Sequence, residues 1–158
     1  MHNKYYLLLD TVNTGASIVR DVTFGLNRHI PNGAKMRMLQ FNWNTGSSQY
    51  ANSNQGNGLV LHLQNVGNQS DFYNTTSGAF STCILAQIPQ ESLFVPASTT
   101  TAKTEGTYEP YNPCVVKISA PITSVTIVLK DGIGSDPDDS DLANLDYSVL
   151  LEIDESEC

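Results

Sequence analysis

The chain has 158 residues, a length that suits one domain burying roughly 70% of the surface its unfolded form exposes. Only 15% of the residues are charged, which disfavours long surface helices and favours strands joined by polar turns. The formal net charge is −8, and ten of the sixteen acidic residues lie at or after Asp131, where no Lys or Arg occurs. An acidic surface repels phosphates, so direct nucleic-acid binding is not expected.

The first two candidate strands lead into a strong turn signal. Residues 5–11 place Tyr5, Leu7 and Leu9 on one face, because side chains alternate sides along a strand. Residues 17–27 show the same alternation, interrupted at Arg20. Residues 30–33 read Ile-Pro-Asn-Gly, where Pro presets φ and Asn-Gly tolerates positive φ. The sequence therefore predicts a turn at this point.

The third candidate strand, residues 35–44, changes the parity of its apolar positions. Met36 and Met38 share one parity, whereas Leu39, Phe41 and Trp43 share the other. A strand cannot exchange its buried face without a local irregularity. The pattern predicts either a β-bulge or bend near residues 38–39 or a central strand buried on both faces.

Two polar loops separate the strands in the middle of the chain. Residues 45–58 and 66–78 carry no apolar periodicity, although the second loop contains Phe72 and Tyr73. Residues 59–65 predict a strand with its leucines inward and His62 facing solvent. Residues 80–88 predict another, ended by Pro89. Its expected inward positions are Phe80, Ile84, Ala86 and Ile88.

The last third of the chain predicts three further strands, at residues 114–119, 122–130 and 145–153. In the final strand every odd position is apolar, and Leu150 is the only apolar residue on the opposite face. Residues 91–95 are a candidate short edge strand and residues 97–107 a loop. A short helix is expected, if anywhere, at residues 138–145.

Eight or nine short strands with turns or polar loops between them predict an all-β protein with an antiparallel β-sandwich over residues 1–158. The single jelly roll of about eight strands is the natural form of such a sandwich. An immunoglobulin-type sandwich is disfavoured because its Cys-Trp-Cys arrangement is missing.

The histidines offer little for catalysis or metal binding. His2 lies at the terminus, His29 precedes the turn, and His62 is expected on a solvated strand face. No nucleophile elbow is present, and a metal site of the cupin type needs a cluster of histidines and carboxylates. A glycosidase needs two carboxylates facing each other, yet acidic residues are sparse between residues 5 and 109. We therefore expect no enzymatic activity, no catalytic or metal-binding residues and no cofactor.

The three cysteines, Cys83, Cys114 and Cys158, show neither CxxC pairs nor zinc-ligand spacing. Cys83 is expected to be a small buried hydrophobe, and a bridge between Cys83 and Cys114 is not expected. No signal peptide and no apolar run of about 20 residues is visible. The sequence predicts a soluble protein without a transmembrane segment, made in the cytosol or nucleus.

Two segments suggest binding rather than catalysis. The acidic stretch at residues 131–141 suggests a calcium loop, since hard cations take clustered carboxylates, but it lacks EF-hand spacing and equally suits a solvated loop. Aromatic residues in or beside loops suggest stacking platforms for carbohydrate, or residues that pack back onto the domain. They are Phe72, Tyr73, Tyr108 and Tyr111.

The order of these segments resembles the single jelly-roll minor capsid proteins, or pentons, of large eukaryotic double-stranded DNA viruses and virophages. The resemblance covers nearly the whole chain. It is carried by residues 4–10, 22–26, 30–43, 84–89, 124–131 and 145–153.

The resemblance implies a structural capsid protein at the pentameric vertices of an icosahedral virion, synthesised in the host cytoplasm. It implies a homopentamer that contacts the major capsid protein and other minor capsid proteins. Low charge and abundant Ser, Thr, Asn and Tyr suit protein interfaces, because such surfaces are easier to desolvate than Lys- and Glu-rich ones. The alternative is a carbohydrate- or receptor-binding β-sandwich module.

Overall fold

A computed structural model describes residues 3–11, 21–44, 58–64, 66, 72–74, 78–80, 83–89, 92, 105–131 and 145–158. Its strands are β1 (Lys4–Asp10), β2 (Asp21–Ile30), β3 (Lys35–Asn44), β4 (Leu59–Leu63), β5 (Phe72–Asn74), β6 (Gly78–Phe80), β7 (Cys83–Ile88), β8 (Glu105–Tyr108), β9 (Val116–Lys117), β10 (Ile122–Asp131) and β11 (Asp146–Asp154). Among the described residues, no helix has the length and apolar character needed to cross a membrane.

Nine of the strands form two antiparallel sheets. The first sheet has the order β1-β11-β3-β8, with β9 also paired to β3, and the second has the order β2-β10-β4-β7. Strands β5 and β6 form a separate hairpin. The chain passes from one sheet to the other at most connections, β4 and β7 pair within the second sheet, and the last strand lies beside the first. This is the strand order of a jelly roll, so the predicted all-β antiparallel sandwich is confirmed.

The hydrophobic core lies between the two sheets and draws on both. The inward positions predicted for β10 and β11 are confirmed, and all are at most 4% exposed: Val125, Ile127, Leu129, Leu145, Tyr147, Val149, Leu151 and Ile153. Truncation of a fully buried leucine in such a core to alanine costs about 2–5 kcal/mol. The alternation in these strands therefore carries much of the stability of the fold.

A β-bulge restores the inward face of β3. Met38 pairs with Leu151 and Gln40 pairs with Leu150, so Leu39 is the extra residue on the β3 side. This changes the parity of the strand, and Phe41 becomes fully buried like Met38. The bulge predicted near residues 38–39 is confirmed.

A second bulge makes part of the prediction for β7 wrong. Leu61 pairs with Ala86 and His62 pairs with Ile84, which leaves Leu85 as the extra residue. Ile84 is consequently only half-buried, and the core receives Leu85 instead. The alternating pattern alone gave no sign of this change, since an apolar residue occupies each of positions 83–86.

Several segments predicted as loops contain strands. Strands β5 and β6 lie within or beside the predicted loop at residues 66–78, and β8 lies within residues 97–107 and extends to residue 108. These strands are only three or four residues long, too short for an alternating pattern to predict, and β8 forms because β3 offers it a partner. The edge strand predicted at residues 91–95 and the helix at 138–145 fall outside the described residues, apart from Ser92 and Leu145.

The turn predicted after β2 is confirmed. Gly33 has a φ of 91°, a left-handed conformation that favours glycine. Its N–H donates to the carbonyl of Ile118 over 2.8 Å, and the N–H of Ile118 donates to the carbonyl of Ala34, also over 2.8 Å. The turn is therefore anchored to the segment that follows β9.

Gly106 of β8 provides room for the only tryptophan. Trp43 and Gly106 are opposite each other across the β3–β8 pair, and a Cβ at Gly106 would overlap the indole ring. The indole ring of Trp43 has little room to move, because Trp43 is 4% exposed and its ring stacks on Phe41 with centroids 6.0 Å apart.

We expect Gly106→Ala to lower the free energy of unfolding by about 1–3 kcal/mol, as overpacking of a filled core does. Chemical denaturation monitored by Trp43 fluorescence measures the change. Gly25→Ala is the matched control, because a Cβ at Gly25 meets no atom within 4 Å. Equal stability of the two variants would contradict the proposed packing.

Candidate functional site on the outer face of the first sheet

An apolar patch lies on the solvent side of the first sheet. It consists of Tyr6, Leu8 and Leu150. Tyr6 is 61% and Leu8 63% exposed, and Leu8 is directly opposite Leu150 in the pairing of β1 with β11. Directly opposed side chains on one face of a sheet are in contact range. The apolar residue that broke the alternation of β11 is thus part of a continuous exposed surface.

The outer face of the second sheet is different. Val60 and Val128 point away from the core, yet they are 4% and 6% exposed. His62, predicted to face solvent, is 1% exposed, so that prediction is wrong. All five residues of β4 are buried, which shows that this central strand is covered on both faces. The first sheet therefore presents the more open of the two outer faces.

A charged cluster borders the apolar patch. It consists of Lys4, Lys35, Arg37, Glu152 and Asp154, which with Val115 line a cleft of about 220 Å³. Glu152 is 7% exposed, and its Oε1 accepts a hydrogen bond of 2.8 Å from Arg37 Nε and lies 2.6 Å from Arg37 Nη2. Lys4 Nζ lies 3.6 Å from the same oxygen. A carboxylate so removed from water is stable only with such partners.

Asp154 extends the cluster towards the C-terminus. It accepts a hydrogen bond of 2.9 Å from the backbone N–H of Ser156 and lies 3.3 Å from Lys4 Nζ. Hydrogen bonds from the Ser156 hydroxyl and N–H, followed by the interaction with Lys4, lower the pKa of Asp154 to about 2. The carboxylate is therefore ionised throughout the physiological range.

A ladder of hydrogen-bonded polar side chains covers the rest of this outer face. Asn42 Nδ2 donates to Gln40 Oε1 at 3.1 Å and to Ser148 Oγ at 3.2 Å, and Thr107 Oγ1 donates to Asn42 Oδ1 at 2.7 Å. Gln40 in turn donates to Glu109 at 2.9 Å. These side chains are held by one another, so the outer face is an ordered surface.

Contacts among Tyr5, Arg28 and Glu155, here called the clamp, hold β1 and β2 together at the edge of the sandwich. The Tyr5 hydroxyl donates to Glu155 Oε1 at 2.7 Å, and Arg28 lies 3.4 Å above the centre of the Tyr5 ring. Arg28 Nη2 is also 3.4 Å from Glu155. Burial first, and then the hydrogen bond and charge of Glu155, raise the pKa of Tyr5. The clamp joins the edge strands of the two sheets to the C-terminal segment.

The two histidines within the described residues lie in different surroundings. His29 is exposed on β2, His62 is buried in β4, and His2 lies outside the described residues. Within the described ranges, no group of three or more His, Cys, Asp or Glu side chains has the spacing to hold a metal ion. The acidic loop considered for calcium falls almost wholly outside those ranges.

The cysteines are all free thiols. Cys83 is buried, as predicted, and its thiol donates to the carbonyl of Val66 at 3.0 Å. Cys114 and Cys158 are exposed.

Of the aromatic residues considered for carbohydrate binding, Tyr108 and Tyr111 are the two whose side chains are described, and of these Tyr111 is strongly exposed. Tyr111 is 96% exposed, whereas Tyr108 is half-buried and packs against the core. The side chains of Phe72 and Tyr73 lie outside the described part of the chain. A shared stacking platform is therefore not formed by Tyr108 and Tyr111.

Tyr6 and Leu8 are surface residues that the alternating pattern did not single out. The signal was present, since residues 5–9 are apolar at both parities and one face of a two-layer sandwich must then be exposed. Leu150 breaks the alternation of its own strand, but its partner Leu8 is set by strand order and register, which are not readable from one strand.

Comparison with known proteins identifies no relative: no family model matches the chain, and a search of curated proteins finds no significant match. The fold and the outer face of the first sheet are therefore the features that bear on function.

We expect Asp154→Asn to lower the melting temperature at neutral pH. The pKa of Asp154 is depressed in the folded state, so its stabilising contribution is present above the unfolded value of about 3.9 and is lost as the pH falls towards 2. The difference between wild type and variant should therefore be constant above about pH 5 and disappear near pH 2. Thermal unfolding followed by circular dichroism across this range measures it.

Ser156→Ala serves as the companion variant, because it removes the hydroxyl that contributes most to the shift. Ser156→Ala should raise the pKa of Asp154 part of the way back towards its unfolded value. The pH range over which the carboxylate contributes to stability should therefore become narrower but not disappear. A wild-type advantage over Asp154→Asn that persists unchanged at pH 2 would contradict the assignment.

Proposed function

We propose that this protein is a structural capsid protein, namely the penton that forms the pentameric vertices of an icosahedral double-stranded DNA virus. The observation that carries the proposal is an exposed apolar patch on an open, ordered outer sheet face of a jelly roll. Jelly rolls serve as viral capsid domains, lectin domains and cupins. The order of segments also resembles that of penton proteins.

The surface chemistry supports an assembly role. Tyr6 and Leu8 are more than half exposed, and interface cores are enriched in such aromatic and aliphatic residues, surrounded by a polar rim. The hydrogen-bonded ladder around Asn42 supplies a rim whose side chains are already ordered. Less side-chain entropy is then lost when a partner binds.

A ring of five copies needs a heterologous interface, in which one surface of a subunit meets a different surface of its neighbour. In the proposed virion the protein sits at the capsid vertex and contacts the major capsid protein and other minor capsid proteins. In this role the fold itself performs the function, and no catalytic step is involved.

Native mass spectrometry of the purified protein tests the proposal. We expect a species of five subunits, and light scattering should give the corresponding mass in solution. A protein that remains monomeric at all concentrations and binds glycans would overturn the proposal.

The exposure of Tyr111 favours a second candidate, a carbohydrate- or receptor-binding module. A side chain that is 96% exposed is available to stack on a sugar ring. In that case a glycan array should identify a ligand, and Tyr111→Ala should weaken its binding by about tenfold or more, whereas Val115→Ala, an exposed apolar control, should not. Equal binding by both variants would exclude this site.

A further inference from the structure

Within the described part of the chain, one edge of strand β1 is unpaired. This strand is the terminal strand of the first sheet, and among the described residues only β11 pairs with it. The N–H of Thr11 donates to the carbonyl of Tyr147, and the N–H of Glu155 donates to the carbonyl of Asn3. The register between these points is continuous, so the odd residues of β1 bond to β11. The N–H and C=O groups of its even residues therefore face outward.

The sequence of β1, Lys-Tyr-Tyr-Leu-Leu-Leu-Asp, is complementary to itself in the antiparallel direction. With a two-fold axis at Leu7, Lys4 of each copy is opposite Asp10 of the other, and Tyr6 is opposite Leu8. A parallel pairing would instead place like charges opposite each other at both ends, which destabilises a sheet. We propose that β1 pairs with β1 of a second copy of this chain, joining two first sheets into one.

The backbone geometry suits this register. Residues 4, 6, 8 and 10 are the ones whose N–H and C=O groups point outward, and they are the ones that would form hydrogen-bonded pairs across the two-fold axis. Four such pairs supply about eight backbone hydrogen bonds. A shift by one residue would place each even residue opposite an odd residue, whose N–H and C=O groups point towards β11. It would also remove both Lys–Asp pairs.

The exposed side chains suit the same register. On the outer face, each apolar patch would meet its copy, because Tyr6 and Leu8 are cross-strand partners at the two-fold axis. On the inner side, Leu7 is only partly buried at the rim of the core, and it would meet Leu7 of the second copy. The pairing thus covers apolar surface on both faces of the sheet.

Local charge also permits two copies to approach. The whole chain carries −8, which opposes self-association. Within β1, however, Lys4 and Asp10 have opposite charges, and of the nearby basic residues Lys35 Nζ lies 2.7 Å from Glu157 and Arg37 Nη2 lies 2.6 Å from Glu152. The strand that would meet its copy therefore carries no net charge of its own.

This inference does not depend on the capsid role. A five-fold ring joins unlike surfaces, whereas this contact joins identical ones about a two-fold axis. Sedimentation velocity of the wild-type chain from about 1 to 200 μM should show a concentration-dependent dimer, or dimers of the larger ring. A wild-type protein without any even-numbered association would overturn the inference.

Leu8→Lys tests the apolar part of the contact. It should raise the dimer dissociation constant by at least about tenfold, because it places a charge in the covered patch. Leu8 is 63% exposed, so the substitution leaves the core unchanged, and circular dichroism checks the fold. Tyr111→Lys is the matched control, since Tyr111 is exposed but not on β1. Equal effects of the two variants would overturn the inference.

A charge exchange tests the register. Lys4→Asp alone and Asp10→Lys alone should each weaken self-association by about tenfold or more, because each opposes like charges twice per dimer. Mixing the two variants should restore association as a heterodimer, in which both charge pairs are again attractive. A damaged fold cannot produce this rescue, and its absence with both variants folded would overturn the proposed register.

The outcomes separate this inference from the penton proposal. Rescue by mixing in a protein that forms no five-subunit species would support the two-fold contact and overturn the penton. If instead a five-subunit species forms, neither charge variant affects it, and mixing the variants restores nothing, the penton is supported and the two-fold contact is overturned.

Discussion

The antiparallel register of β11 between β1 and β3 is the constraint on which the structure depends. The last strand of the chain joins the first and third strands into one sheet, so segments more than a hundred residues apart must align. Its odd residues face the core, and any slip by one residue would expose all of them. The bulge at Leu39 is the adjustment that lets β3 keep both of its apolar segments inward against this fixed strand.

The same register determines what the outside of the sheet looks like. Leu150 comes to lie beside Leu8, and Glu152 comes to lie within reach of Arg37 and Lys4. The outer face of β11 thus carries the apolar patch at Leu150 and, two residues further along, Glu152 with its partly exposed partners Lys4 and Arg37. Partly exposed ion pairs add little to stability, so the cluster is better explained by the orientation it imposes than by its energy.

Open edges of sheets promote unwanted association, and proteins commonly protect them with charges. Strand β1 carries a charge at each end, but of opposite sign. Such an edge disfavours parallel partners and shifted registers while leaving one antiparallel arrangement attractive. Selectivity of this kind is what distinguishes a specific contact from aggregation, and it arises from a seven-residue strand.

The sequence by itself determined the fold class, the inward faces of β10 and β11 and the turn at Gly33, and it limited β3 to a bulge or bend or a strand buried on both faces. Each of these follows from local periodicity or from the backbone freedom of a single residue type. The tertiary structure alone decided the rest. The bulge at Leu85 is hidden in a run of apolar residues, and β8 is a strand only because β3 pairs with it. His62 is buried because its central strand is covered on both faces, and the patch at Leu8 and Leu150 exists because two distant strands align. Burial and surface patches depend on neighbours across the sheet, and a single strand does not specify its neighbours.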